Sequence, residues 1–421
     1  MYLSEEEQAM LEGNFGAGTA FAMELLAKVG DAVGAERMIK AASSHIVSFG
    51  YQYYGFLAEC RELDEKMLEG VEAFRIPATT NPKFFDVDDE KLIRRFGIAD
   101  SVIENVRQSM TDKVFEKLGA LPTYTCTPFF TYQTRKGESL AGAESIAIVM
   151  YNSVYGARLN RETGPTSLAS AITGRTPEFG MHKPENRYAQ VQVDLDSRLQ
   201  PGKFTSVDYG ALGYYVGKVA GDRSSVFTGI PQDISIKNLK YLLAPLGVSG
   251  AAMLSHIVGI TPEAPTLEAA LLGRKPEEKI AVDGDTLDEV YAVLNTASEE
   301  KADIAVFGCP HAPIDEIIEI TRLLEGKKIR DDAFLLIATA APIRLLASRM
   351  GLTDIVEKSG GLIISDTCPH IFLYPDYQKA LGIKQSIKVM ATDSAKCAHY
   401  AGAQGLKIKY MSAAECINSV M

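Results

Sequence analysis

Five apolar runs decide the fold class: KIAVDG (279–284), DIAVFG (303–308), AFLLIAT (333–339), GLIISD (361–366) and IKVMAT (387–392). Each has the length of a buried strand, and segments with helical spacing of apolar residues, such as Thr286 to Leu294 and Asp315 to Leu324, lie between them. Strand and helix in alternation predict a parallel, doubly wound α/β sheet. In such sheets functional groups gather just beyond the carboxyl ends of the strands. Cys309 directly follows the second run and Cys368 comes two residues after the fourth, so both thiols are expected on that edge.

Toward the N-terminus the pattern is less regular. Ser4 and Glu7 form a capping-box signature opening a helix to about Lys28, with Gly13, Gly16 and Gly18 in its path. MIKAASSHI and FRIPATT read as short strands, Asp88 to Phe96 and Ser101 to Leu118 as helices. The middle third offers the strands RYAQVQVDLD and SVFTGI and a small-residue helix around SLASAIT. The expected organisation is a mixed α/β region over 1–278, as one unit or as two with a boundary near 120, and a doubly wound domain over 279–421. A chain of 421 residues exceeds the usual span of one hydrophobic core.

A formal charge of −11, with no Lys/Arg block, excludes nucleic acid as an expected partner. MYLSEEEQAM carries neither a basic n-region nor an apolar h-region, and no later run reaches about 18 apolar residues. A soluble, cytoplasmic protein without a membrane span is the expectation. Six cysteines are too few for a disulfide scaffold and would stand as thiols or metal thiolates.

Cys126 in PTYTCTPFF, Cys309 in FGCPHAP and Cys368 in SDTCPHIF are each followed within two positions by proline, which ends regular structure and leaves the sulfur on a turn. The alternative is three buried, inert cysteines. Cys60, Cys397 and Cys416 lie in helical patterns and read as structural. No C-x2-C or H-x3-H pair occurs, so a shared metal would have to be assembled from distant segments. His311 and His370 each stand two residues after such a cysteine, close enough to serve a site or to be plain structural groups. No serine-hydrolase elbow, Walker A loop or dinucleotide fingerprint is present. AESIAIVMYNSVYGARLNRETGP reads as an apolar strand entering a turn with Asn152, Ser153 and Arg158; amides, a hydroxyl and a guanidinium on one loop suit a carboxylate ligand.

The segments PTYTCTPFF, YNSVYGARLNRETGP with ITGRTP, SHIVGITPEAPT, FGCPH, SDTCP and MATDSAKCAHYAG, in this order, resemble the aconitase X family over nearly the whole chain. The resemblance implies an aconitase-like fold of α/β/α layers around an iron-sulfur cluster (4Fe-4S or 2Fe-2S) or a mononuclear iron, with Cys126, Cys309 and Cys368 as ligands. It also implies a hydro-lyase acting on a small hydroxy acid, with cis-3-hydroxy-L-proline as first expectation and (R)-5-phosphomevalonate as alternative, and a separate small swivel-domain subunit. An aconitase-like isomerase and a non-catalytic binding subunit are the other readings. Ser394 with Lys396 is the first expected base, His311 and His370 the rivals. Substrate contacts are expected at Ser48, Phe49, Gly50, Asn81 and Pro82, besides Asn152, Ser153 and Arg158. Archaeal phosphomevalonate members carry Gly-Val-Ser where Ser48-Phe49-Gly50 stands, and many members carry Asn at the place of Asp393. Asn81-Pro82 resembles the archaeal form, whereas HIVSFGYQYYG lacks the Asp-Gly-Cys of hydroxyproline members.

Overall fold

The computed structural model describes residues 1–48, 58–109 and 113–421. The chain divides into two units, one of Met1–Asn81, Val106–Ala189 and Met253–Arg274, the other of Pro82–Asn105, Gln190–Ala252 and Lys275–Met421. No helix among the described residues is long and apolar enough to cross a membrane.

In the first unit, the capping box between Ser4 and Glu7 is present, but its helix ends at Leu11 and a second runs from Ala17 to Ala32. Gly13 and Gly16 between them adopt φ of 86° and 95°, a left-handed backbone that ends one helix before the next begins. MIKAASSHI splits into strands Met38–Lys40 and Ser44–Ile46, and FRIPATT supplies Ala78–Thr80. Ser44–Ile46 lies between Ala78–Thr80 and Ala141–Gly142, all parallel, while Met38–Lys40 pairs antiparallel with Arg175–Pro177. Met23 and Leu26 of the second helix join Leu168 and Ile172 of the helix Gly164–Thr173 in one core. The expected strand before Asn152 is instead the helix Ser145–Ser153, buried at all nine positions. An element buried on every side shows no periodicity, so strand and helix could not be separated by pattern.

The second unit is built on a parallel sheet in the order Leu362–Ser365, Phe334–Thr339, Ile304–Phe307, Val389–Thr392, Lys407–Tyr410. The first run, KIAVDG, does not belong to it: Glu278–Val282 pairs in parallel with Val191–Leu195, which also pairs with Ser225–Thr228. Lys407–Tyr410 takes the vacated fifth place. From Ile304–Phe307 the chain moves outward through the next two strands, then returns to lay Val389–Thr392 on the other side. The order therefore reverses between Ile304–Phe307 and Val389–Thr392, the switch point at which open α/β sheets open a crevice for ligands. Ile317, Ile320 and Leu324 of the helix Ile314–Leu324 pack with Leu335, Ile337, Val356 and Ile363 in the core beneath this edge. The helix predicted over Ser101 to Leu118 is Asp100–Ser109 and Val114–Lys117.

Candidate active site

Cys309 stands at the switch point, directly beyond the strand Ile304–Phe307. The turn depends on Gly308, whose φ is 78° and where an added Cβ would fall 2.0 Å from the Ala338 carbonyl oxygen. The following peptide to Pro310 is cis. His311, fully buried, joins its Nε2 to the Thr367 carbonyl at 3.0 Å, linking this turn to the one that carries Cys368. That second turn is braced by the segment before the helix Glu90–Phe96. The N–H of Cys368 donates to the Lys83 carbonyl and that of Lys83 to the Asp366 carbonyl, both at 2.8 Å, and the N–H of Asp86 donates to the Thr367 hydroxyl at 3.0 Å.

His370 lies among these thiols. Its Nδ1 meets the Tyr374 hydroxyl at 2.7 Å and its ring stacks on Tyr400 at 5.8 Å. Burial works against an imidazolium there, but the neighbouring Cys368 and Cys309 sulfurs outweigh it and hold His370 at about 10. Burial alone would raise the Cys368 thiol; the charge and hydrogen bonds of His370 bring it below its ordinary value. Cys309 is pushed up, first by a hydrogen bond with Cys397 and then by burial. Cys397, read from sequence as a structural helix residue, thus sits beside Cys309.

The strand Val389–Thr392 delivers Asp393 and Ser394. Ser394 caps the helix Ala395–Ala403: its Oγ accepts the Cys397 N–H at 3.1 Å and donates to the Cys309 carbonyl. Lys396 is buried in the first turn of that helix. Asp393 accepts the Tyr241 hydroxyl at 2.8 Å on Oδ2, and its Oδ1 has no partner among the described residues. Burial, then the charge of Glu316, pushes Asp393 up to about 7. Lys240 pairs with Glu316 and donates to the Pro310 carbonyl at 2.9 Å. Neither Lys240 nor Tyr241 was expected from sequence; the signal was a lone lysine inside the apolar run NLKYLLAPLG.

In the first unit, Ser48, Asn81 and Cys126 gather beyond the carboxyl ends of the parallel strands. The Thr125 N–H donates to the Thr80 carbonyl at 2.9 Å, and the Thr125 and Thr127 hydroxyls that flank buried Cys126 meet at 3.0 Å. Asn81 Oδ1 is 3.4 Å from His45 Nε2, and the Ser48 hydroxyl donates to Asp64 at 2.6 Å. Burial pushes His45 down to about 4, leaving it neutral. Phe49 and Gly50 lie outside the described residues, and Pro82 begins the other unit.

The expected carboxylate-binding loop is rearranged. Asn152 donates to the Leu159 and Met253 carbonyls at 2.7 and 2.9 Å, and its Oδ1 accepts from the Leu159 N–H and Arg187 at 3.0 and 2.9 Å. Two donors and two lone pairs are the whole capacity of an amide, so Asn152 is a clip between backbone segments with no hydrogen bond left for a ligand. Ser153 accepts the Ser255 N–H at 2.9 Å. Arg158 pairs beside Ser139, ahead of the strand Ala141–Gly142, and so at the opposite end from Ser48 and Asn81. Its guanidinium makes one bond of 3.4 Å, to the His182 carbonyl, and has no carboxylate partner among the described residues. His182, also missed from sequence, is buried with neither ring nitrogen partnered among the described residues and is pushed down to about 4, by burial first and then by Arg187 and Arg158.

Among the described residues no three His, Cys, Asp or Glu side chains are grouped to hold a metal ion. The donor chemistry of the Cys309–Cys368–His370 group nevertheless suits iron, because its two sulfurs are the soft ligands that iron-sulfur clusters take. Two thiols, a capping serine and a buried carboxyl pushed up to about 7 thus gather at the switch point of an α/β sheet.

Comparison with known proteins narrows this. The family models described as Aconitase X first domain, second domain and third domain match residues 1–185, 189–292 and 302–421. The chain belongs to the aconitase X family. It is 36% identical to the phosphomevalonate dehydratase large subunit of Methanothermobacter thermautotrophicus, covering 97% of this chain and 96% of that one. It is 31% identical to the cis-3-hydroxy-L-proline dehydratase of Hypocrea jecorina, over 99% of this chain and 68% of the relative. The crystal structure of Thermococcus kodakaraensis aconitase X in its holo-form superposes with a TM-score of 0.84 at 32% identity, with full coverage of both chains.

Proposed function

We propose that this chain is the iron-dependent catalytic large subunit of a dehydratase, a hydro-lyase acting on a small hydroxy acid, with (R)-5-phosphomevalonate as first candidate substrate. The observation that carries the substrate choice is the 36% identity, over nearly all of both chains, with a relative of that name. The second reading is cis-3-hydroxy-L-proline, supported by the fungal relative at 31% and a bacterial one at 28%.

Cys309 and Cys368 are the proposed thiolate ligands of the second unit, and the resemblance adds Cys126. When bound, iron supplies a Lewis acid for a departing hydroxyl group. The chain's own residues must take a proton from the carbon next to a carboxylate. Ser394 is the proposed base: its oxygen stands at the switch point, with buried Lys396 two residues on. His370, between the thiols, is the nearest rival, whereas the Nε2 of His311 is engaged with Thr367. Arg158 has no carboxylate partner among the described residues and is the proposed anchor for an acidic substrate group, although its bridge to Ser139 sets its backbone at the end of that sheet away from Ser48 and Asn81.

The relatives named large subunits supply the reason to expect a separate small swivel-type subunit. The test is anaerobic purification of the chain, co-expressed with such a subunit, followed by iron and sulfide analysis and turnover assays with both hydroxy acids. Iron-bearing protein that dehydrates phosphomevalonate is the expected result. Turnover of hydroxyproline alone would move the assignment to the second reading, and iron-free protein inert toward both would refute the proposal.

A further inference from the structure

We propose that Lys240 and Tyr241, consecutive on the helix Ile236–Ser249, are positioning residues that clamp the Cys309 turn and the Ser394 turn together. The proposal rests on the reading above in which Cys309 binds metal and Ser394 moves the proton.

The two turns follow adjacent strands, Ile304–Phe307 and Val389–Thr392, so they are neighbours in the sheet but joined by no local chain. The turn around Pro310 has no N–H at that proline with which to fix itself. Lys240 fixes it from the acceptor side, its Nζ donating to the Pro310 carbonyl at 2.9 Å. Successive helix residues point about 100° apart, which lets Tyr241 reach the other turn, where its hydroxyl donates to Asp393 at 2.8 Å. The Lys240 ammonium also lies 4.9 Å from the centre of the Tyr241 ring. Ser394 Oγ to the Cys309 carbonyl closes the circuit. It runs from Lys240 through Pro310, Cys309, Ser394 and Asp393 back to Tyr241.

The ion pair itself argues for a role beyond stability. Lys240 is 1% and Glu316 3% exposed. A pair so deeply buried is often matched or bettered by apolar residues of similar volume, because removing both charges from water is costly. An apolar pair would fill the space equally well, but it would leave the Pro310 carbonyl without its ammonium. Glu316, from the helix Ile314–Leu324, neutralises Lys240 and holds it on that carbonyl.

Lys240→Met alone would strand Glu316 as a buried charge, so the informative variant is Lys240→Met with Glu316→Gln, beside Tyr241→Phe as a single-hydroxyl change. In the metal-free full chain, alkylation of Cys309 by iodoacetamide, followed by peptide mass spectrometry, is expected to be about tenfold faster in the double variant than in wild type, with little change in melting temperature. In the iron-loaded protein, the double variant should release iron to a chelator faster and show an altered visible spectrum. Tyr241→Phe should lower kcat about tenfold, with KM and iron content unchanged. A wild-type Cys309 alkylation rate in the double variant, or a wild-type kcat in Tyr241→Phe, removes the corresponding residue from the clamp, and both together overturn it. If wild type takes up no iron, the metal reading falls, and the alkylation comparison still decides the positioning claim.

Discussion

The Ser394 hydroxyl donates to the Cys309 carbonyl while accepting the Cys397 N–H, so one side chain ties the first turn of the helix Ala395–Ala403 to the turn of a proposed metal ligand. Cap and catalytic roles can be separated because glycine is tolerated at an N-cap. Ser394→Ala should cost about 0.5–2 kcal/mol of stability and Ser394→Gly only a few tenths, while both lose turnover and keep their iron. Thermal melts with kcat measured in parallel check this. Wild-type kcat in Ser394→Gly would transfer the base to a histidine.

Serine in place of Cys126, Cys309 or Cys368 should remove most bound iron from anaerobically prepared protein, because the oxygen is a poor replacement for a thiolate. Serine at Cys60 or Cys416 should leave it in place. Cys397→Ser belongs between the two sets, since a hydrogen bond with Cys397 is the first cause that pushes the Cys309 thiol up. Full iron content in all three of the first variants would end the ligand assignment.

Glu162 gives a pH signature that needs no metal. Its Oε1 accepts the Thr176 hydroxyl at 3.0 Å; the residue is only part-buried overall, yet Oε2 is closed off from water with no partner among the described residues. Burial pushes the carboxyl up to about 7 from an ordinary 4.5. The folded state therefore keeps a proton that the unfolded state releases, and this contribution, whole below about 4.5, is lost as pH rises through about 7. In urea melts, Glu162→Gln should gain on wild type between pH 5 and pH 8. The same gap at both values would show that Glu162 is not protonated in the fold.

Gly308→Ala should destabilise the second unit by about 2–5 kcal/mol, combining a left-handed residue with a β-carbon driven into the Ala338 carbonyl. Denaturant titration followed by a probe in the C-terminal sheet measures this. A loss below about 1 kcal/mol would mean the turn can move.

Arg158→Lys should raise KM about tenfold with a smaller change in kcat, since lysine keeps the charge but not the two-point grip on a carboxylate. Steady-state kinetics of the assembled enzyme decide it, and an unchanged KM would release Arg158 from substrate binding.

The C-terminal sheet was legible wherever strands are buried on both faces, as in Phe334–Thr339, whose six residues are all buried. Lys407–Tyr410 escaped because it is an edge strand with a lysine at alternate positions. The positions of Cys309, Cys368 and His370 followed from their places after strands, without any knowledge of pairing. Strand order did not, since nothing in KIAVDG tells whether its partner is Val191–Leu195 or the C-terminal sheet. Lys240 was hidden for a related reason: a single lysine on a helix ordinarily faces water, and only the partner helix with Glu316 makes burial affordable. Asn152 was recognised as a polar residue in an apolar context, but its four hydrogen bonds go to segments that the sequence does not place beside it.

The brace on the Cys368 turn also sets a schedule for the ribosome. Lys83 and Asp86 are made early, yet the carbonyl of Asp366 and the hydroxyl of Thr367 that they bind come some 280 positions later. At about 5–20 residues per second, roughly 15–60 s pass before those partners emerge. Through that interval Lys83 and Asp86 are without the partners that they hold in the folded chain.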